Sequence, residues 1–223
     1  MFSAFLMDLD GTILDSRKPL IISYNRTLVK YNMPPLPSDE TKAIQILRRP
    51  VEEIFPRLLG EKSKDSEFME LFIDDLKESY GEVYMTDTKL CPSAIETLKK
   101  LKAGNHKVGI VTSRLSFADY IIPALNSLGL KGLIDLVVTS RDVVSTKPSP
   151  EPYLLAAEKL KKGINECVVV GDSPDDIMAG KAAGMLTVAY TGGFYSLDEL
   201  SKYNADLIID DLGKLLQLAW APF

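Results

Sequence analysis

Short apolar runs rich in Val and Ile recur along the chain and alternate with stretches of helical apolar spacing. The runs at residues 2–7, 107–111, 134–139, 167–171, 186–190 and 207–209 predict strands. The stretches at 94–101, 117–128, 153–160, 177–183 and 212–218 predict helices. That alternation implies βαβ units: a parallel sheet with helices on both faces.

One interval breaks the pattern. About a hundred residues separate the first strand from the second, far more than one crossover helix needs. Within it, Leu20, Tyr24, Leu28 and Tyr31 form one helical stripe, and Val51, Ile54, Phe55, Leu58 and Leu59 form another. Phe68, Leu71, Phe72 and Leu76 form a third. "NMPPLPSDE" separates the first two, with Ser38 as an N-cap after the proline stop. In "ILRRPVEEIF", Pro50 disfavours helical geometry in the residue before it, so one helix ends at Arg49 and the next starts at Val51. The chain therefore reads as α/β: a Rossmann-like parallel-sheet core of residues 1–16 and 89–223, with an all-helical domain of residues 17–88 inserted after the first strand.

Composition adds exclusions. A chain of 223 residues can hold a core domain plus a smaller one, and 46% hydrophobic with 26% charged residues is ordinary for a soluble globular protein. The net charge of −5 and the lack of a long Lys/Arg run argue against a nucleic-acid partner. No basic leader with a long apolar segment opens the sequence and no apolar stretch nears spanning length, so the expectation is a cytoplasmic protein without a membrane partner. Cys91 and Cys167 lack disulfide-framework or metal-ligand spacing, and Cys167 reads as a small buried hydrophobe. His106, after "KAGN", reads as a surface loop histidine.

Polar residues cluster where the strands end. "FLMDLDGTILDS" puts Asp8 and Asp10 two apart, which in a strand places both carboxylates on one side. Such like charges repel unless a cation or proton offsets them. "VGIVTSR" ends in Thr112, Ser113 and Arg114, "CVVVGDSPDD" contains Asp172 and Asp176, and "TSRDVVSTKPSPEP" contains Lys147. Singly, each piece has a structural reading. Asp10-Gly11 is a common turn pair and Thr112-Ser113 suits a cap. Ser173, Pro174, Asp175 and Asp176 suit a helix start, and Lys147 suits a solvated loop. In open parallel sheets, however, ligands bind beyond the carboxyl ends of the strands. Together, Asp8, Asp172 and a backbone carbonyl near Asp10 offer the hard oxygen ligands that Mg²⁺ prefers. Lys147 adds positive charge for a phosphoryl group, and Thr112, Ser113 and backbone amides add donors. One carboxylate can attack phosphorus while the other manages a proton.

These residues resemble the haloacid dehalogenase superfamily along nearly the whole chain. "DLDGT" looks like its first motif, "VTS" its second, Lys147 in "TKPSPEP" its third and "GDSPDD" its fourth. The resemblance implies Asp8 as nucleophile, Asp10 as general acid/base, and Thr112 and Lys147 as phosphate ligands. It implies Mg²⁺ on Asp8, the Asp10 carbonyl and Asp172, with Asp176 in support. The insertion looks like the helical cap of the subclass containing phosphoglycolate phosphatases, and "GKAAGMLTVAYTGGF" and "ADLIIDDLGKLLQL" are also similar to that group. Many such caps carry a glycine-containing loop where this chain has "LRRPVEE". There Arg48 and Arg49 read either as solvated arginines near a helix C-terminus or as binders of a substrate anion.

The expectation is an Mg²⁺-dependent phosphatase acting on a small phosphorylated metabolite, phosphoglycolate-like, through an aspartyl-phosphate. Alternatives are a phosphomutase of the β-phosphoglucomutase type, a pyrophosphatase, and, in another class, a non-enzymatic phospho-acceptor receiver module. Mutases of this kind often replace the residue at Thr12, so "DGT" leans towards hydrolysis. A receiver module needs neither Asp10 nor the helical insertion. Monomer and homodimer remain open.

Overall fold

The computed structural model describes residues 2–49, 51–113 and 118–220. The chain starts with β1 (Ala4–Met7) and β2 (Leu14–Asp15) and passes through helices α1 (Arg17–Lys30), α2 (Glu40–Leu47), α3 (Val51–Leu59) and α4 (Ser66–Asp87). It returns through β3 (Lys89–Leu90), α5 (Ala94–Ala103), β4 (Lys107–Val111), α6 (Ala118–Ser127) and β5 (Leu136–Val138). It finishes with α7 (Glu151–Leu160), β6 (Cys167–Gly171), α8 (Pro174–Ala182), β7 (Leu186–Tyr190), α9 (Leu197–Leu200), β8 (Leu207–Ile209) and α10 (Leu215–Trp220). Two compact units result: Met1–Asp15 with Lys89–Phe223, and the helical Ser16–Thr88.

The first unit is built on a parallel six-stranded sheet in the order β5-β4-β1-β6-β7-β8, the α/β arrangement that the alternating pattern predicts. All four residues of β1 and all five of β6 are buried, as strands covered on both faces must be. Ala4 and Leu6 point to one face and cluster with Cys167, Val169 and Tyr153 of α7. Phe5 points the other way, meeting His106 edge-on at 5.5 Å, while His106 meets Trp220 of α10 at 6.3 Å. Each fully buried side chain of this size contributes roughly 1.5–3 kcal/mol, so the two faces of β1 anchor both helical layers. β2 and β3 pair antiparallel as a separate ribbon, Leu14 opposite Leu90 and Asp15 opposite Lys89. In the helical unit, Tyr24, Leu28, Ile54, Leu59 and Phe72 are buried in one cluster, joined by Ala43 and Leu47 of α2.

Several local expectations need correction. α2 is capped by Asp39, whose carboxylate accepts from the Lys42 N–H, not by Ser38; the stronger acceptor sits one residue later. α2 closes at Leu47, with Arg48 as its C-cap, before Arg49 is reached. β1 stops at Met7, so the two-residue strand period does not extend to Asp10; the chain instead turns at Gly11 (φ +85°), and Asp10 bridges Leu14. His106 is buried rather than a surface residue, because the C-terminal helix covers it. Arg114 and Phe117 lie outside the described residues. Cys167 is a buried free thiol, pushed up to about 11 by burial.

Burial also holds the His106 imidazole below its usual range, with Lys162 adding to the effect and a hydrogen bond to the Phe2 backbone opposing it. A histidine depressed in the folded state is protonated first in the unfolded chain, so its share of stability is full above the unfolded value of 6.5 and is lost as pH falls through the folded one. Denaturant titrations at pH 7.5 and 5.5 should therefore show a smaller loss for His106→Gln than for the wild type. Equal losses would remove His106 as the titrating group.

Candidate active site

Asp8 follows the last residue of β1. Met7 pairs with Ile110 of β4 and Val170 of β6, so Asp8 emerges between the carboxyl ends of two neighbouring strands. Its N–H donates to the Val170 carbonyl at 2.8 Å, extending the ladder by one bond. The alternation of Ala4, Leu6 and Asp8 aims its side chain at the face that α7 covers.

Lys147, in the loop before α7, reaches that carboxylate. Its Nζ donates to Asp8 Oδ1 at 2.5 Å, Asp176 Oδ1 at 2.7 Å and the Val111 carbonyl at 3.1 Å. All three ammonium hydrogens are thereby used. Lys147 is thus a buried charge tied to β1, β4 and α8, not a solvated loop lysine.

Asp176 is fixed by a helix start. Ser173 caps α8: its Oγ accepts from the Asp176 N–H at 3.3 Å and donates to Asp176 Oδ2 at 2.6 Å, while its own N–H donates to Oδ2 at 3.2 Å. This is a reciprocal capping box with an aspartate in the third position. Tyr153, wholly buried on α7, donates its hydroxyl to Asp176 Oδ1 at 2.9 Å. Asp172 directly follows β6; Thr12 Oγ1 donates to its Oδ1 at 3.2 Å and the Phe194 N–H to its Oδ2 at 2.7 Å.

Asp8, Asp172 and Asp176 are all buried, each with an oxygen within 4.8 Å of the others. Two unit charges at that separation repel by roughly 3 kcal/mol at an effective dielectric near 20, and among the described residues Lys147 is the cation paired with Asp8 and Asp176. Burial pushes the Asp8 carboxyl up to about 7; Lys147 pulls it back, and Asp176 and then Asp10 push it further. Burial, with the charges of Asp8 and Asp176, pushes Asp172 well above the usual carboxylate range. Burial would lower Lys147, but Asp176 and Asp8 more than reverse this, so the lysine stays charged. A buried oxygen-only donor set with excess negative charge is what a hard divalent cation fits. Of the three, Asp176 has both oxygens occupied by Lys147, Tyr153 and Ser173, whereas Asp8 Oδ2 accepts no hydrogen bond among the described residues.

The other expected residues are placed less centrally. Asp10 is half-buried in the turn after Asp8. Thr112 is buried just past β4, its N–H donating to the Val138 carbonyl at 2.9 Å. Ser113 is exposed, and its carbonyl accepts from Ser140 Oγ. Arg48 and Arg49 belong to the helical unit, where Arg49 pairs with Glu53 at 3.1 Å. Sequence reasoning missed the part of Tyr153, reading it as an apolar helix position. Its signal was there: the sixth residue after Lys147, on the buried face of the helix that Lys147 precedes. It also missed the Phe194 amide, because backbone donors leave no mark in the sequence.

The fold and site define an α/β enzyme with a carboxylate–lysine centre at the sheet's carboxyl edge. A model of the family described as haloacid dehalogenase-like hydrolase matches residues 5–190, and the chain belongs to that family. It is 32% identical over 221 residues to the pyrophosphatase PpaX of Bacillus velezensis, covering 97% of this chain and 95% of that protein. It is 29% identical over 216 residues to a phosphoglycolate phosphatase of Colwellia psychrerythraea, covering 95% and 94%. The crystal structure of a predicted phosphoglycolate phosphatase from Haemophilus somnus 129pt superposes with a TM-score of 0.85 at 25% identity, covering 97% of each chain.

The raised Asp8 carboxyl sets a sign. A group raised in the folded state contributes stability that is full below its unfolded value of 3.8 and is lost as pH rises through about 7. In EDTA, Asp8→Asn should therefore melt above the wild type at pH 7.5, and the difference should shrink towards pH 4. A variant that melts lower at both pH values would show that Asp8 is held comfortably as an anion.

Proposed function

We propose that the protein is an Mg²⁺-dependent phosphatase hydrolysing a small phosphomonoester, phosphoglycolate-like, through an aspartyl-phosphate on Asp8. The observation that carries this reading is the Asp8–Lys147–Asp176 cluster with Asp172 beside it, at adjacent strand ends of a haloacid dehalogenase-like hydrolase.

Asp8 acts as nucleophile: its oxygen bonds to phosphorus as the bond to the leaving oxygen breaks. The Asp10 carboxyl gives its proton to that leaving alkoxide. As a carboxylate, Asp10 then takes a proton from the water that attacks phosphorus, releasing phosphate and restoring Asp8. Lys147, whose hydrogens are already committed to Asp8, Asp176 and Val111, serves mainly as fixed positive charge beside the incoming dianion. Thr112 and Ser113 supply donors to the phosphoryl oxygens. Asp8, Asp172 and the Asp10 carbonyl would hold Mg²⁺, with Asp176 ordering them from outside. Bound Mg²⁺ supplies charge neutralisation for the transferring group.

The helical unit takes the part of a substrate-selecting cap, with Arg48 and Arg49 as its anion binders. The pyrophosphatase relative supports pyrophosphate as a second reading, since one arginine can meet a second phosphate as readily as a carboxylate.

Steady-state kinetics on phosphoglycolate, pyrophosphate and p-nitrophenyl phosphate, with Mg²⁺ and with EDTA, test this directly. The reading expects phosphoglycolate to lead in kcat/KM and EDTA to abolish turnover. A lead for pyrophosphate selects the second reading, and undiminished turnover in EDTA overturns the metal assignment. Arg48→Ala or Arg49→Ala should raise KM for the preferred substrate with its second anionic group, while leaving p-nitrophenyl phosphate, which lacks one, nearly untouched.

Asp10→Asn should lose most activity on substrates with poor leaving groups and least on p-nitrophenyl phosphate, whose phenolate departs without a proton. Uniform loss across a leaving-group series, with the first chemical step rate-limiting, would strip Asp10 of its acid role.

A further inference from the structure

The stretch "TGGF" after β7 has no part in the chemistry above, yet it bears on Asp172. Its root is tied down, because the Thr191 N–H and Oγ1 both reach the Ile209 carbonyl, at 2.9 and 3.3 Å. Two residues on, the chain runs against the carboxylate. A Cβ on Gly193 would stand 2.2 Å from Asp172 Oδ2 and 2.4 Å from the Gly11 carbonyl oxygen. Gly193 is not in the left-handed region, so the need for glycine here is one of space rather than of φ. Gly11 meets the same carboxylate oxygen: its Cβ would lie 2.2 Å from Asp172 Oδ2 and 2.5 Å from the Phe194 ring. Two glycines thus pack against one buried carboxylate oxygen, and the next amide, that of Phe194, donates to it at 2.7 Å.

We propose that the Gly193–Phe194 turn is a positioning device for Asp172, holding it as a ligand for a divalent cation. This rests on the metal reading given above. The Phe194 amide occupies one lone pair of Oδ2 and Thr12 Oγ1 one of Oδ1, which leaves each oxygen a lone pair for a cation. The two glycines let the turn and the Asp8–Thr12 loop close on the carboxylate without a side chain between them. Hydrogen bonds to a ligating carboxylate orient it, and losing such support typically costs about 10–100-fold in metal affinity. Gly193 and Phe194 are therefore positioning residues, acting on the cation only through Asp172.

Calorimetric titration of Mg²⁺ into the full chain tests this without using turnover. Gly193→Ala should raise the Mg²⁺ dissociation constant about tenfold or more, with metal-free circular dichroism matching the wild type. Leu197→Ala, an exposed position four residues on, should bind as the wild type does. ¹⁵N spectra of the wild type give a second readout that does not depend on how Gly193→Ala folds. The Phe194 amide resonance should move with Mg²⁺ at the calorimetric midpoint. Affinity for Gly193→Ala within threefold of wild type, or a Phe194 amide unmoved at saturation, overturns the proposal. A wild type that binds no Mg²⁺ fails earlier, overturning the metal reading itself.

Discussion

Everything at the site follows from one imbalance: among the described residues, three buried carboxylates share a small space with a single ammonium group. Losing that ammonium would cost roughly 3–5 kcal/mol, because the buried carboxylates around it would be stranded. The surrounding structure is arranged to prevent that. β1 lies in the middle of the sheet, so Asp8 emerges with a strand on either side, and Lys147 joins β1, β4 and α8 through one nitrogen. The cluster is held with more carboxylates than ammonium groups among the described residues, a donor set that a hard divalent cation fits.

A helix start does part of this work. Asp176 completes the capping box of α8 and also receives Lys147 and Tyr153, so one carboxylate ends a backbone problem and begins an electrostatic one. Gly171 makes room for that carboxylate, since a Cβ there would stand 2.3 Å from Asp176 Cγ. The close approach of β6 to the first turn of α8 is therefore built into the sequence "GDSPDD". Substituting Gly171 would disturb the strand end, the cap and the lysine together.

Much of this was legible in the residues. The six strands of the sheet read correctly because buried parallel strands are continuous apolar runs, and Ser173 and Pro174 announced α8. Asp8, Lys147 and Asp172 stood out as polar residues at strand ends, and the structure gathers them. What was illegible depended on contacts distant in sequence. His106 looked like a loop residue because nothing local shows that Trp220 will cover it. The end of α2 was placed two residues late because Pro50 limits only the residue before it, while the helix closes at Leu47 with Arg48 as C-cap, its N–H still donating to the Ile44 carbonyl. Asp10 escaped the strand rule because β1 ends at Met7, three residues before it.

The β2–β3 ribbon has a consequence for how such a protein diversifies. Asp15 and Lys89, where the chain leaves and rejoins the sheet-bearing unit, are partners across one strand spacing of about 4.8 Å. A docking point that narrow registers neither the length nor the shape of what hangs from it, and the entropy of closing an inserted segment grows only slowly with its size. The gene can therefore exchange, lengthen or delete the segment between these two residues as a cassette. Such an exchange would leave the sheet, with its charge-imbalanced edge, as it is.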